Sequence, residues 1–194
     1  FKKSEKALLS QYEGVKRASI GLDRDEEFRL LRDRAQSEIY IIGAGMSKLA
    51  RLASNSLENQ LRAVSVHLYM LDPDYLVNNK EYAKLLEDFF GIRDFAEYVK
   101  LSFKSLKAFC EDHNNNPKAK NRITLSTYTA PPTMSMVVID PQTKNAEMVV
   151  EYFTYHCGEE RPLFNIKKEK TTKMFDSLYT HAEYLFNASK EAII

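Results

Sequence analysis

The 194 residues suffice for one full-sized domain with its own core, and 44% hydrophobic with 28% charged residues is an ordinary globular balance. Lys and Arg at 28 against Asp and Glu at 27 leave a net charge of +1, so no overall basic field recruits nucleic acid. No apolar run approaches the ~20 residues of a membrane-spanning helix, and no signal-peptide pattern opens the chain. Cys110 and Cys157 are too few for a disulfide framework, which predicts reduced thiols and a cytoplasmic protein. The sequence opens at Phe1 rather than Met, and we read it as part of a longer regulatory protein with an upstream domain.

Leu8, Tyr12 and Val15 form a helical stripe across residues 3–19, the core of an N-terminal helical lead-in over residues 1–25. Phe28, Leu31 and Ala35 mark a second helix, with Asp23 or Asp25 as its N-cap. Residues 26–194 read as a single α/β domain. Its first strand covers residues 38–43 and ends in Gly43-Ala44-Gly45-Met46-Ser47, after which Leu49, Leu52, Ala53, Leu57 and Leu61 give a helix to about Arg62. A second strand over residues 64–71 stops at Asp72-Pro73-Asp74, because proline cannot donate to a ladder. Strand, helix and strand at this spacing predict a right-handed parallel crossover.

Residues 80–112 are helical in pattern and divide at Gly91. Strands over 123–128, 134–139 and 148–155 follow, the last two joined by a hairpin loop at Asp140–Asn145. A short strand at Leu163–Ile166 and a helix from Thr172 to about Ala188, buried through Phe175, Leu178, Ala182 and Leu185, close the chain. The expected sheet is mixed, mostly parallel and flanked by helices.

Gly43-x-Gly45 after a strand resembles a phosphate-cradling turn, in which Ser47 and Lys48 add contacts to the amides of a helix start. A dinucleotide fingerprint needs a third glycine where this chain has Lys48. With Asp72 at the end of the neighbouring strand, Gly43, Gly45, Ser47, Lys48 and Asp72 outline a crevice for a small phosphorylated or nucleotide-like ligand. The plainer reading is a tight turn with Ser47 as N-cap, and an Asp72 that breaks the strand and caps the next element. Asp74 and Glu151 are further acidic residues at strand ends or edges.

His156 and Cys157 lack metal-ligand spacing, and His67, His113 and His181 are scattered, so no metal and no cofactor is expected. His67 and His181 read as hydrogen-bonded packing residues, and His113 as part of an Asn-rich loop. The basic residues of 117–122 and 161–173 are interrupted by Glu159, Glu160 and Glu169, the pattern of a solvated face.

The phrases SEIYIIGAGMSKL, VSVHLYMLDPD, PPTMSMVVIDP and EMVVEYF, in that order, resemble one copy of the phospholipase D superfamily fold, as found in degenerate domains of bacterial regulatory proteins. Active members carry His-x-Lys-x-x-x-x-Asp. Set on Asp140, that motif has Thr133 at the histidine and Ser135 at the lysine. Threonine neither shuttles a proton near neutral pH nor forms a phosphohistidine-like intermediate, and serine carries no charge to a phosphate. The family's Gly-Ser-x-Asn element is also replaced, by Val150-Glu151-Tyr152-Phe153. The resemblance therefore implies a fold without catalytic residues. The expected function is a non-catalytic sensor of a small anionic ligand. Its alternatives are a ligand-free dimerisation scaffold, since single-copy relatives pair face to face, or a nuclease or lipid phosphodiesterase with an unrecognised site.

Overall fold

The computed structural model describes residues 15–19, 29–53, 64–155, 161–169 and 172–193. Its strands are β1 (Val15–Ser19), β2 (Glu38–Gly43), β3 (Ser65–Leu71), β4 (Ile123–Tyr128), β5 (Met134–Ile139), β6 (Glu147–Tyr152), β7 (Leu163–Lys167) and β8 (Lys190–Ile193). The helices are α1 (Ser47–Ala53), α2 (Pro73–Asn78), α3 (Lys80–Phe90), α4 (Phe95–Asn115) and α5 (Thr172–Ala188). One sheet runs in the order β1-β7-β6-β5-β2-β3-β4-β8, with β1 and β8 added at the edges of a six-stranded body.

The sheet is mixed, but it is not mostly parallel as expected. Among the described residues only β2 with β3 and β3 with β4 pair in parallel. The other pairings are antiparallel. Parallel neighbours need a long crossover. The chain supplies one between β2 and β3 and another, carrying α2 to α4, between β3 and β4. From β5 to β7 the connections are short, so each strand turns back on its predecessor. Strand β8, which the sequence pattern did not disclose, pairs antiparallel with β4.

The expected lead-in helix fails at its described end. Val15–Ser19 is a strand paired antiparallel with β7, because sheet hydrogen bonding overrides a local helical stripe. The rest of that helix, the Asp23 and Asp25 caps and the α1 continuation beyond Ala53 lie outside the described residues. A last helical turn at residues 29–32 buries Leu31 completely.

Alternation sorts the side chains of β3. Val66, Leu68 and Met70 are fully buried on one face. Burial of each such side chain contributes roughly 1.5–3 kcal/mol. Tyr40, His67 and Tyr69 project from the other face toward Phe186 of α5, Tyr40 stacking on His67 at 4.7 Å and on Phe186 at 5.0 Å. Helices α1, α2 and α3 each pack against α4, which lies along β4. Gly91 ends α3 in the left-handed region at φ 66°, the dividing point that the sequence predicts.

Two ends of the sheet follow from this register. At one end β2, β3, β4 and β6 finish while β5 and β7 begin. Gly43, Asp72, Thr133, Ser135 and Glu151 gather there. At the opposite end Asp140 and Glu147 lie beside the start of β2.

Candidate functional site

The glycine turn leaves β2 through buried Gly43, Ala44 and Gly45 and enters α1 at Ser47. Leu71 donates its N–H to the Ala44 carbonyl at 3.3 Å, so the turn stays joined to β3. Tyr128 donates its hydroxyl to the Gly43 carbonyl at 3.1 Å, and burial holds that phenol well above its ordinary range. Gly45 abuts the ring of Tyr98 from α4: a Cβ there would stand 2.5 Å from Cε1 and 3.1 Å from Cδ1. The Ser47 and Tyr98 hydroxyls are hydrogen-bonded to each other. Lys48 is half-buried in the first turn of α1. The close approach that glycine permits is therefore made here by a side chain of the same protein.

Asp72 serves as N-cap of α2, its Oδ1 accepting the Tyr75 N–H at 2.9 Å. Its Oδ2 accepts the Thr127 hydroxyl at 3.2 Å, and its N–H donates to the Tyr128 carbonyl at 2.9 Å. One residue thus joins the ends of β3 and β4 to the start of α2. Asp74 is exposed in the first turn of that helix. The five residues of the sequence-level crevice do share one end of the sheet, but Asp72 and Ser47 bond within the chain.

The motif positions lie on β5 and its approach. Thr133 is exposed, and its carbonyl accepts the Phe153 N–H at 3.0 Å. Ser135 faces Glu151 across the β5–β6 ladder and donates its hydroxyl to Oε2 at 2.9 Å. Arg161 approaches the same oxygen at 3.5 Å, the carboxylate side chain being 4% exposed and the guanidinium side chain 17%. That guanidinium lies over Phe153 at 5.0 Å and Phe90 at 5.9 Å, within the range of a cation–π contact. Arg161, which the sequence placed on a solvated face, is thus drawn inward. Lys167 and Lys168 also find partners, the former on Glu147 at 2.5 Å and the latter on the Pro141 carbonyl at 3.0 Å.

Asp140 is at the far end of β5 from Thr133 and has a purely architectural set of partners. Its Oδ1 accepts the Ser37 N–H at 2.8 Å, the Ser37 hydroxyl at 2.7 Å and the Glu38 N–H at 3.0 Å. Its Oδ2 accepts the Gln36 N–H at 2.8 Å. Its carbonyl accepts the Thr143 N–H at 2.9 Å in a local turn, and the side chain in addition pins the segment that enters β2.

His67 and His113 are packing residues by their bonds. His67 pairs with the Thr124 hydroxyl at 3.0 Å through Nδ1. His113 is not in the Asn-rich loop but on α4, buried, with Nε2 against Asn121 Oδ1 at 3.1 Å. Burial and the nearby Glu111 push the Cys110 thiol up to about 12, so it holds its proton at neutral pH. Among the described residues no group of His, Cys, Asp and Glu is arranged to hold a metal ion. His156 and Cys157 lie outside them. No described helix is long and apolar enough to cross a membrane.

Sequence reasoning missed Tyr98 and the pairing of Arg161 with Glu151. One signal for the latter was available: a carboxylate inside the run Met-Val-Val-Glu-Tyr needs a buried cation or hydroxyl.

No protein-family model matches the chain, and no curated protein matches it. Solved structures do. Phosphatidylserine synthase from Haemophilus influenzae Rd KW20 superposes with a TM-score of 0.54 at 11% identity, over 92% of this chain and 38% of that one. Nuc, a phospholipase D family member from Salmonella typhimurium, gives a TM-score of 0.46 at 13% identity, covering 92% of this chain and 99% of its own. TrmBL2, an archaeal chromatin protein, gives 0.49 at 12% identity over 98% of this chain and 62% of that one. The chain thus shares its α/β fold with the synthase at low sequence identity, and spans well under half of that protein.

Proposed function

We propose that this chain is a non-catalytic phospholipase D-like module that acts by pairing with a second copy of itself, as a scaffold within a larger regulatory protein. The observation that carries this reading is that the polar groups at the motif end of the sheet are spent on one another. Ser135 is bonded to Glu151, Ser47 to Tyr98, and Asp72 to Tyr75 and Thr127. The position at which the family's motif carries its attacking histidine is threonine, Thr133. Apolar side chains are meanwhile left at the surface, with Leu85 60%, Leu101 59% and Tyr155 64% exposed. The sensor reading, with a phosphorylated ligand on Gly43, Gly45, Ser47, Lys48 and Asp72, has less support. Tyr98 already lies where that ligand would meet Gly45.

Sedimentation velocity across a hundredfold range of concentration tests the proposal, together with a thermal-shift panel of mononucleotides, cyclic dinucleotides, sugar phosphates and inorganic phosphate. The expected result is a concentration-dependent dimer and a flat panel. A ligand at about a hundred times its Kd adds roughly 2.7 kcal/mol, a rise of about 5–10 °C for this size. A monomer at every concentration with one selective rise, lost in Ser47→Ala, overturns the scaffold in favour of the sensor.

A further inference from the structure

The Ser135–Glu151–Arg161 cluster has the composition of an anion site whose anion is already covalently part of the chain. Glu151 is almost fully buried, and a carboxylate so placed needs charge-assisted partners. Its geometry with Arg161 is nevertheless loose, one contact at 3.5 Å where a strong guanidinium–carboxylate bond spans about 2.7–2.9 Å. The Arg161 guanidinium is held instead by the faces of Phe90 and Phe153, which meet edge to face with centroids 5.1 Å apart. Phe90 in turn stacks on buried Phe95 at 4.9 Å. Ser135 is fixed by the β5–β6 ladder. The guanidinium is therefore positioned by rings that do not depend on the carboxylate, and the ladder places the Ser135 backbone beside it. Among the described residues Glu151 is the sole hydrogen-bond acceptor on Arg161, a group with five N–H donors.

We infer that Glu151 is a built-in occupant of an oxyanion site formed by Arg161 and Ser135, and that its carboxylate excludes free phosphate from that site. A carboxylate and a phosphate present the same anionic oxygens to a guanidinium fork and a hydroxyl. Removing the glutamate side chain beyond Cβ vacates both the space and the charge, leaving a preorganised cation beside an apolar wall. The inference rests on the reading of this end of the sheet as closed upon itself, but its test does not read association state.

The experiment is a thermal-shift titration with potassium phosphate, against potassium chloride at matched ionic strength, on the wild type, Glu151→Ala, Glu151→Gln and Glu151→Ala/Arg161→Met. Glu151→Ala is expected to show a saturable, phosphate-specific midpoint rise of about 5–10 °C, the size expected for a ligand near a hundred times its Kd. The wild type and Glu151→Gln, in which a side chain still fills the site, stay flat, and so does the double variant. If Glu151→Ala does not fold in chloride, recovery of its circular-dichroism spectrum on refolding in phosphate supports the inference, and failure to recover overturns it. An equal response from wild type and Glu151→Ala, no response from folded Glu151→Ala, or a response that survives loss of Arg161 also overturns it.

Discussion

Gly45→Val lowers the unfolding free energy by about 3 kcal/mol, the upper part of the usual overpacking range, and the thermal midpoint by roughly 6–12 °C. The cause is space and not backbone conformation, since Gly45 does not occupy the left-handed region. A Cβ stands 2.5 Å from Tyr98 Cε1, and the two methyls of valine press further into the ring. The ring has little freedom to yield. It stacks on Phe95 with centroids 6.0 Å apart, and its hydroxyl is bonded to Ser47. Tyr98→Ala removes the collision at the cost of its own packing. Combining the two substitutions should then cost less than the sum of the singles by about 1–3 kcal/mol, the coupling expected of residues in direct contact. Urea titrations of the four proteins measure this cycle. Additive losses contradict the Tyr98 contact, and a fully stable Gly45→Val that loses only a ligand response returns weight to the sensor.

Asp140→Asn is expected to cost about 3 kcal/mol at neutral pH, from the weakening of several hydrogen bonds to a buried charge. The substitution isolates the carboxylate, because asparagine tolerates the φ of 47° that residue 140 adopts. Burial by itself raises the Asp140 carboxyl. The hydrogen bonds from the Ser37 hydroxyl and from the amides of Glu38, Gln36 and Ser37 outweigh it and hold the group below the ordinary carboxylate range. A depressed folded value means that the stabilisation is complete above the unfolded value of about 3.9 and is lost as the pH falls through the folded one. The gap between wild type and Asp140→Asn therefore narrows in acid. Denaturant unfolding at pH 7 and at successive points below pH 4 reads it directly. A gap that does not change with pH contradicts the assignment.

What could be read from the sequence was local. The β-branched runs gave β2 and β3 to within a residue, and Gly91 marked the break between α3 and α4 because a left-handed cap favours glycine. The Asp140–Asn145 loop between two apolar runs gave the β5–β6 hairpin. The direction of the sheet was less legible. Nothing local says that β5 lies antiparallel beside β2, whose pairing joins Ile42 to Met136. Residues 15–19 carry a helical stripe yet form an edge strand, since the partner that decides this is β7, far along the chain.

The site was legible as positions but not as bonds. Thr133 and Ser135 follow from the motif register, and their departure from histidine and lysine is plain in the sequence. Long-range packing chose the rest. Tyr98 reaches Ser47 across 51 residues, and Asp140 reaches Ser37 across 103. Periodicity identified helices and strands but could not say which side chain would close over Gly45, nor that Arg161 would leave the surface for the space between two phenylalanines.

Hydrolysis of bis(p-nitrophenyl) phosphate by the purified chain is the most direct measurement of the central claim, with Thr133→Ala run beside it at the same concentration. The expected rate equals that of buffer for both proteins, since residue 133 offers neither a nucleophile activated by a base nor a proton shuttle near neutral pH. A protein-dependent rate that falls in Thr133→Ala contradicts the account and makes this end of the sheet an active site.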